Sequence, residues 1–333
     1  MNPMLPRPKF WAEAAEQKQT RFTLIGELLI FLVLTYLSAA GQMLLLAIPV
    51  IPWMFSEQSA QVMSAVTSGE LEAVLQKLLL AMPDWILLCA LFAYAAMGAI
   101  VIFYCRRFQR RTLASMGLRG KPLAEALLGF AVGLALFGAV LALGTGLGGF
   151  QPRFGSVSDG AWLTVLGALL GCLVQGAAME LLVRGYFAPS VGARVPVPYA
   201  LLFSTLFSVL FQRSYAGVDT VEGINVLLLG LVLGVWVIKR GNLWSACTLH
   251  GAWIFAANFL FSFAPADQHE GIYLLRVDTD VFRTALTGGE AGPLASLCTT
   301  LVLLAALALA LALRARDPAP VVPKQNERTE NIL

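Results

Sequence analysis

Apolar residues fall along this chain in eight long runs, and the short segments between the runs hold nearly all of its charge. The runs cover about residues 22–50, 84–104, 123–147, 161–187, 198–211, 224–238, 243–263 and 294–313. Most are as long as the roughly 17–25 apolar residues that a helix needs to cross a hydrocarbon core. The fifth is short. The first tolerates Glu27 near its start and is expected to stop within Ala47–Pro52, where Pro49 and Pro52 interrupt it. Between the first two runs, Glu57, Glu70 and Glu72 break the pattern, which suggests a loop with a short amphipathic helix at the surface. A Gly/Pro/Ser-containing stretch to Asp159, and an acidic one with Asp267, Glu270, Asp278, Asp280 and Glu290, read as loops.

Composition agrees with that pattern. With 58% hydrophobic and 13% charged residues over 333, the chain reads as an all-α, polytopic membrane protein of about eight transmembrane helices. Residues 1–21 form a polar lead whose Phe10-Trp11-Ala12-Glu13 portion is expected along the headgroups. Residues 22–313 form the membrane domain, and 314–333 read as a disordered tail. The lead lacks the apolar core and cleavage site of a removable signal peptide.

The net charge of +3 says little, but the placement of the charges sets the topology. With both termini in the cytosol, the inner side holds the lead, the cluster Arg106, Arg107, Arg110, Arg111, Arg119 and Lys121, then Arg184, Arg194, Lys239, Arg240 and the tail. Only Lys77, Arg153, Arg213, Arg276 and Arg283 fall outside. That asymmetry is what the positive-inside rule expects, and it makes the basic cluster a cytosolic retention signal rather than a nucleic-acid site. It also sets Glu180 at the cytosolic end of the fourth run. The five cysteines lie in or beside apolar runs without CxxC spacing and read as small buried side chains.

Candidate chemistry sits in the fourth run, in Gly176-Ala177-Ala178-Met179-Glu180-Leu181-Leu182-Val183-Arg184-Gly185. Glu180 and Arg184 are four residues apart, so they share a helix face. An ionisable residue in a membrane segment is a functional hypothesis, and a structural ion pair is the plain alternative. Further on, Gly230-Leu231-Val232-Leu233-Gly234 has the spacing of a helix-contact device, and Lys239-Arg240-Gly241-Asn242-Leu243-Trp244 follows it. His250 is one of two histidines; the other, His269, falls in the acidic loop. Phe203, Phe207 and Phe211 form a stripe at helical spacing that reads as core packing.

In this order the features resemble the CAAX prenyl protease and bacteriocin-processing family of intramembrane metalloproteases, also called abortive-infection proteins. The likeness spans about residues 110–263, with a smaller match at Arg111-Thr112-Leu113-Ala114-Ser115-Met116-Gly117-Leu118. The family has two adjacent glutamates, three variable residues and Arg-Gly, then Phe-x-x-x-His, then His-x-x-x-Asn. Here Glu180, Arg184, Gly185, Phe207 and His250 match. The resemblance implies peptide-bond hydrolysis within a bacterial inner membrane by a metal-dependent site, on substrates that enter between helices.

The departures weigh more than the matches. The first glutamate is Met179, the histidine after Phe207 is Phe211, and the asparagine after His250 is Ile254. Each change puts an apolar side chain where the family has a polar one, which suits a cavity packed shut. Glu180 points about 100° away from the lost base, and its guanidinium partner makes it a poor base. Zinc needs at least three protein ligands, and only Glu180, His250 and Cys247 are at hand. Asn258 lies about 6 Å along the axis from Ile254, too far for a simple exchange. No metal or cofactor is therefore expected; zinc enters only if the site is active.

Three functions remain open from the sequence. The first is a non-catalytic relative that binds a prenylated or membrane-anchored peptide or protein within the bilayer. The second is a divergent peptidase with Glu180, His250 and Arg184 as its site residues. The third is a small transporter or channel.

Overall fold

The computed structural model describes residues 4–17, 23–56, 83–153, 162–213, 220–264, 273–280 and 282–318. The expected surface helix near 57–77, His269 and most of the tail lie outside them.

The helices follow one another in the expected order. A short α1 (Lys9–Gln17) leads into α2 (Leu24–Met54), α3 (Asp84–Ala93), α4 (Ala95–Arg107) and α5 (Pro122–Gly146). After a strand β1 (Phe150–Arg153) come α6 (Trp162–Glu180), a π-helical turn Leu181–Phe187 and α7 (Ala188–Gly192), which together form one long helix. Next are α8 (Val197–Arg213), α9 (Thr220–Arg240), α10 (Trp244–Phe255) with a second π-turn Ala256–Leu260, then β2 (Phe261–Ala264), β3 (Leu275–Thr279), α11 (Thr284–Thr287) and α12 (Leu297–Ala312). Among the described residues five helices, α3 and α4 counting as one, are long and apolar enough to cross a membrane, and α8 and α12 are shorter apolar helices. The protein is a mostly helical, polytopic membrane protein.

The expected stop at Pro49 and Pro52 and the expected end of the fourth helix near residue 187 are both corrected by the structure. The first helix runs through Pro49 and Pro52 to Met54, and the fourth runs through Pro189 to Gly192. Proline removes a donor and crowds the carbonyl four residues back, but membrane helices tolerate it when another group serves that carbonyl. For Pro189 the carbonyl is that of Gly185, and Arg111 Nη2 donates to it at 2.7 Å. The same nitrogen donates to Ser115 O at 2.6 Å, so Arg111 ties the loop before α5 to the π-turn. Burial pushes the Arg111 pKa down from the usual guanidinium range.

α10 is the centre of the bundle, clasped between α5 and α6. Glycines permit the approach. A Cβ on Gly176 would sit 2.5 Å from Gly251 N and 2.7 Å from Cys247 O, and one on Gly133 would sit 2.5 Å from Leu249 O. Gly230 and Gly234 face Thr205 and Leu201 of α8, as their spacing suggested. Phe203 and Phe207 pack with ring centroids 4.4 Å apart, and Phe203 also meets Phe187.

A three-stranded sheet, in the order β1-β3-β2 with β1 antiparallel and β2 parallel to β3, closes one end of the bundle. The chain is therefore not wholly α. These strands occupy stretches read as loops, and Phe261–Phe263 belongs to β2 rather than to the seventh helix. Strands of four or five residues are too short to leave a periodic signal, and β1 pairs with β3 across more than a hundred positions.

The other end gathers the basic segments. Phe10 and Trp11 are buried in the protein rather than laid along headgroups. Lys9 N donates to Asp317 O, Arg316 N donates to Lys239 O, and Arg119 pairs with Glu13 and Asp317. The start of the expected disordered tail, to residue 318, is thus held against the lead and the 239–242 turn by backbone hydrogen bonds.

Candidate functional site

Glu180 is the last α-helical residue of α6, and seven π-helical and five α-helical residues follow it. Roughly 18 Å of helix therefore separates it from Gly192. The carboxylate lies deep in the helix rather than at the end where the sequence reading set it, and Arg184, counted above among the charges expected in the cytosol, is buried with it. The helix continues through Ala188 and Val191 to Gly192, past the expected end near residue 187.

Three side chains meet there. Arg184 Nη1 donates to Glu180 Oε1 at 3.0 Å, and His250 Nδ1 lies 3.0 Å from the same oxygen. Arg184 Nη2 donates to Gly230 O at 2.6 Å, which reaches α9. The three site residues named from sequence are thus brought together across α6, the π-turn and α10. The close approach of Gly176 and Gly251 sets the distance. A π-turn widens the helix by one residue and often marks a functional site; here it begins directly after Glu180 and carries Arg184.

A cavity of about 310 Å³ lies beside this cluster. Arg184 and His250 line it, as do Met179, Ile254 and Asn258, whereas Glu180 is wholly buried behind that wall. Position 179 thus faces the cavity while position 180 does not, in keeping with the rotation of one residue along a helix. The Phe211 side chain lies outside the described residues; Ser208, one turn earlier, is on the wall. Asn258 Nδ2 donates to Ile254 O at 2.8 Å, so its amide is partly spent on its own helix.

The donor set does not suit a metal ion. Among the described residues no three His, Cys, Asp or Glu groups lie close enough to hold one. Cys247, the third candidate, is buried one turn before His250, and His250 Nδ1 is already engaged by Glu180.

Sequence reasoning passed over Asn225, Gln175 and Thr299 on the same wall. Asn225 Nδ2 donates to Leu294 O and Ser296 O, and its Oδ1 accepts from Thr300 Oγ1 at 2.7 Å, which ties α9 to the start of α12. An amide within an apolar run was the available signal; attention to ionisable groups alone hid it.

A family model described as type II CAAX prenyl endopeptidase Rce1-like matches residues 161–256. This segment is similar to that family. It runs from the start of α6 to the end of α10, and so contains Glu180, Arg184, His250 and the three changed positions Met179, Phe211 and Ile254. The matched segment supplies the wall residues on α6 and its π-turn, α8, α9 and α10; Asn258, Leu294 and Thr299 on the same wall lie beyond the match. The smaller likeness at Arg111–Leu118 also lies outside it. No curated protein and no solved structure matches the chain.

Proposed function

We propose that this CAAX-protease-like membrane protein binds a membrane-embedded peptide, or the membrane segment of a protein partner, in the cavity beside His250 and does not cleave it. One observation carries the reading: Glu180 Oε1 is shared by Arg184 Nη1 and His250 Nδ1, so the carboxylate is turned toward these neighbours instead of facing the cavity as a base, while its Oε2 has no hydrogen-bond partner among the described residues. Met179 and Ile254 put apolar side chains on that wall and leave it without a carboxylate to activate water, and hydrolysis at neutral pH needs a base within hydrogen-bond reach of it. No metal or other cofactor takes part in this reading. The partner is prenylated or otherwise membrane-anchored, and the membrane is the bacterial inner membrane, with the lead and the tail in the cytosol.

The test is proximity without cleavage. A photo-crosslinking residue at position 254, in protein reconstituted into liposomes with a prenylated membrane peptide, is expected to capture the intact peptide; the same residue at lipid-facing Leu163 is not. Equal capture at both positions refutes the reading.

A second reading is favoured by the same contact. With Nδ1 held by Glu180, His250 is positioned on the cavity wall, the arrangement in which a carboxylate orients an imidazole base. Cleavage that survives a chelator but is lost in His250→Ala and Glu180→Gln would transfer the assignment to a divergent peptidase.

A further inference from the structure

A second cavity, of about 340 Å³, opens at the end of the bundle where the lead and the tail meet. Its wall brings together Arg119 and Lys121 from the loop before α5, Arg240 and Asn242 from the turn after α9, and Arg316 and Asp317 from the tail. We infer that it binds the phosphoglycerol headgroup of an anionic membrane lipid.

Depth is the first argument. Lys121 immediately precedes the span Pro122–Gly146, and Arg240 ends the span Thr220–Arg240, so the cavity lies at the edge of the apolar slab, where headgroups are. A basic pocket between helices at that level is suited to an anionic headgroup.

Charge is the second. Four cations on the wall face two carboxylates, Glu125 and Asp317. Arg240 is bound through both Nε and Nη2 by Glu125, which also takes Arg316 at 3.4 Å. Arg119 is shared between Glu13 at 3.0 Å and Asp317 at 3.6 Å. Lys121 is exposed, and its position is the N-cap of the 25-residue α5, where no side chain caps the first N–H groups. The positive end of that helix dipole adds to the lysine.

Asn242 selects among anions. Asn242 is 6% exposed, and among the described residues its Oδ1 has no hydrogen-bond partner, while Nδ2 donates weakly to Arg240 O at 3.3 Å. A buried acceptor in an otherwise cationic site calls for a donor. An ionised phosphodiester has none to give, but a glycerol hydroxyl beside the phosphate does. Phosphoglycerol therefore satisfies both the cations and Asn242 through a hydroxyl that is present whatever the charge of the phosphate, whereas a fully ionised phosphate satisfies only the first and a choline headgroup brings a further cation without an O–H.

The measurement is native mass spectrometry of the full chain in detergent, titrated with phosphatidylglycerol, phosphatidic acid and phosphatidylcholine, with soluble glycerol phosphate as competitor. One equivalent of phosphatidylglycerol is expected to bind more tightly than either other lipid. Lys121→Gln should weaken it about fivefold, the weight of one headgroup cation. Asn242→Ala should lower the preference for phosphatidylglycerol over phosphatidic acid about fivefold, the weight of one hydrogen bond. Arg316→Gln, at a largely exposed position, gives a second cation variant if thermal unfolding shows that either of the others has lost its fold. Equal binding of the three lipids, unchanged affinity in folded Lys121→Gln and Arg316→Gln, or displacement by glycerol phosphate at matching concentration would each overturn the inference.

Discussion

Replacing Glu180 by Leu removes the carboxylate that both Arg184 and His250 share, and leaves the guanidinium buried with only Gly230 O. Breaking a buried ion pair from one side costs about 3–5 kcal/mol, because the remaining charge is uncompensated. Adding Arg184→Met removes that charge and fills its volume with an apolar chain. Such paired replacements are often neutral or better. His250 still lacks its partner, at about 1–3 kcal/mol. The double variant should therefore regain about 2 kcal/mol over Glu180→Leu alone, a coupling well outside the ~0.5 kcal/mol scatter of independent sites. The assay is unfolding of the reconstituted protein with all four members of the cycle: wild type, each single variant and the double. If Glu180→Leu costs less than about 1 kcal/mol, or Arg184→Met fails to rescue it, the pair does not hold the fold and the reasoning from burial is wrong.

Other consequences can be checked more briefly. Gly176→Val should prevent α6 from approaching α10, since the backbone of Gly251 and Cys247 cannot yield, and the variant should aggregate on size-exclusion chromatography while Gly138→Ala, in open space, behaves as wild type. Arg111→Ala opens two carbonyls, of Ser115 and Gly185, and should destabilise the protein by about 2–5 kcal/mol in the same unfolding assay. A chelator should leave the midpoint of thermal unfolding unchanged; a drop of several degrees would reveal a metal that the donor set does not suggest.

The order of the helices was legible because apolar runs and flanking charges act over twenty residues at a time. Their ends were not, and the site shows why. The fourth helix is expected to end near residue 187, just before Pro189, yet Arg111, more than seventy residues earlier, takes up the Gly185 carbonyl that the proline leaves open. The fourth helix therefore continues, and Glu180 moves from its end into its interior. The Glu180–Arg184 contact follows from spacing alone, whereas the approach of His250 depends on Gly176 and Gly251 meeting, which no single stretch reveals. The short sheet and the docked tail rest on pairings between distant segments and carry no periodic pattern of their own.

The most direct measurement is cleavage by the reconstituted protein. Wild type in liposomes is offered prenylated and unprenylated membrane peptides, beside Glu180→Gln and chelator-treated samples. The account predicts intact peptide in every lane. Cleavage by wild type that disappears in both Glu180→Gln and the chelated sample would contradict it.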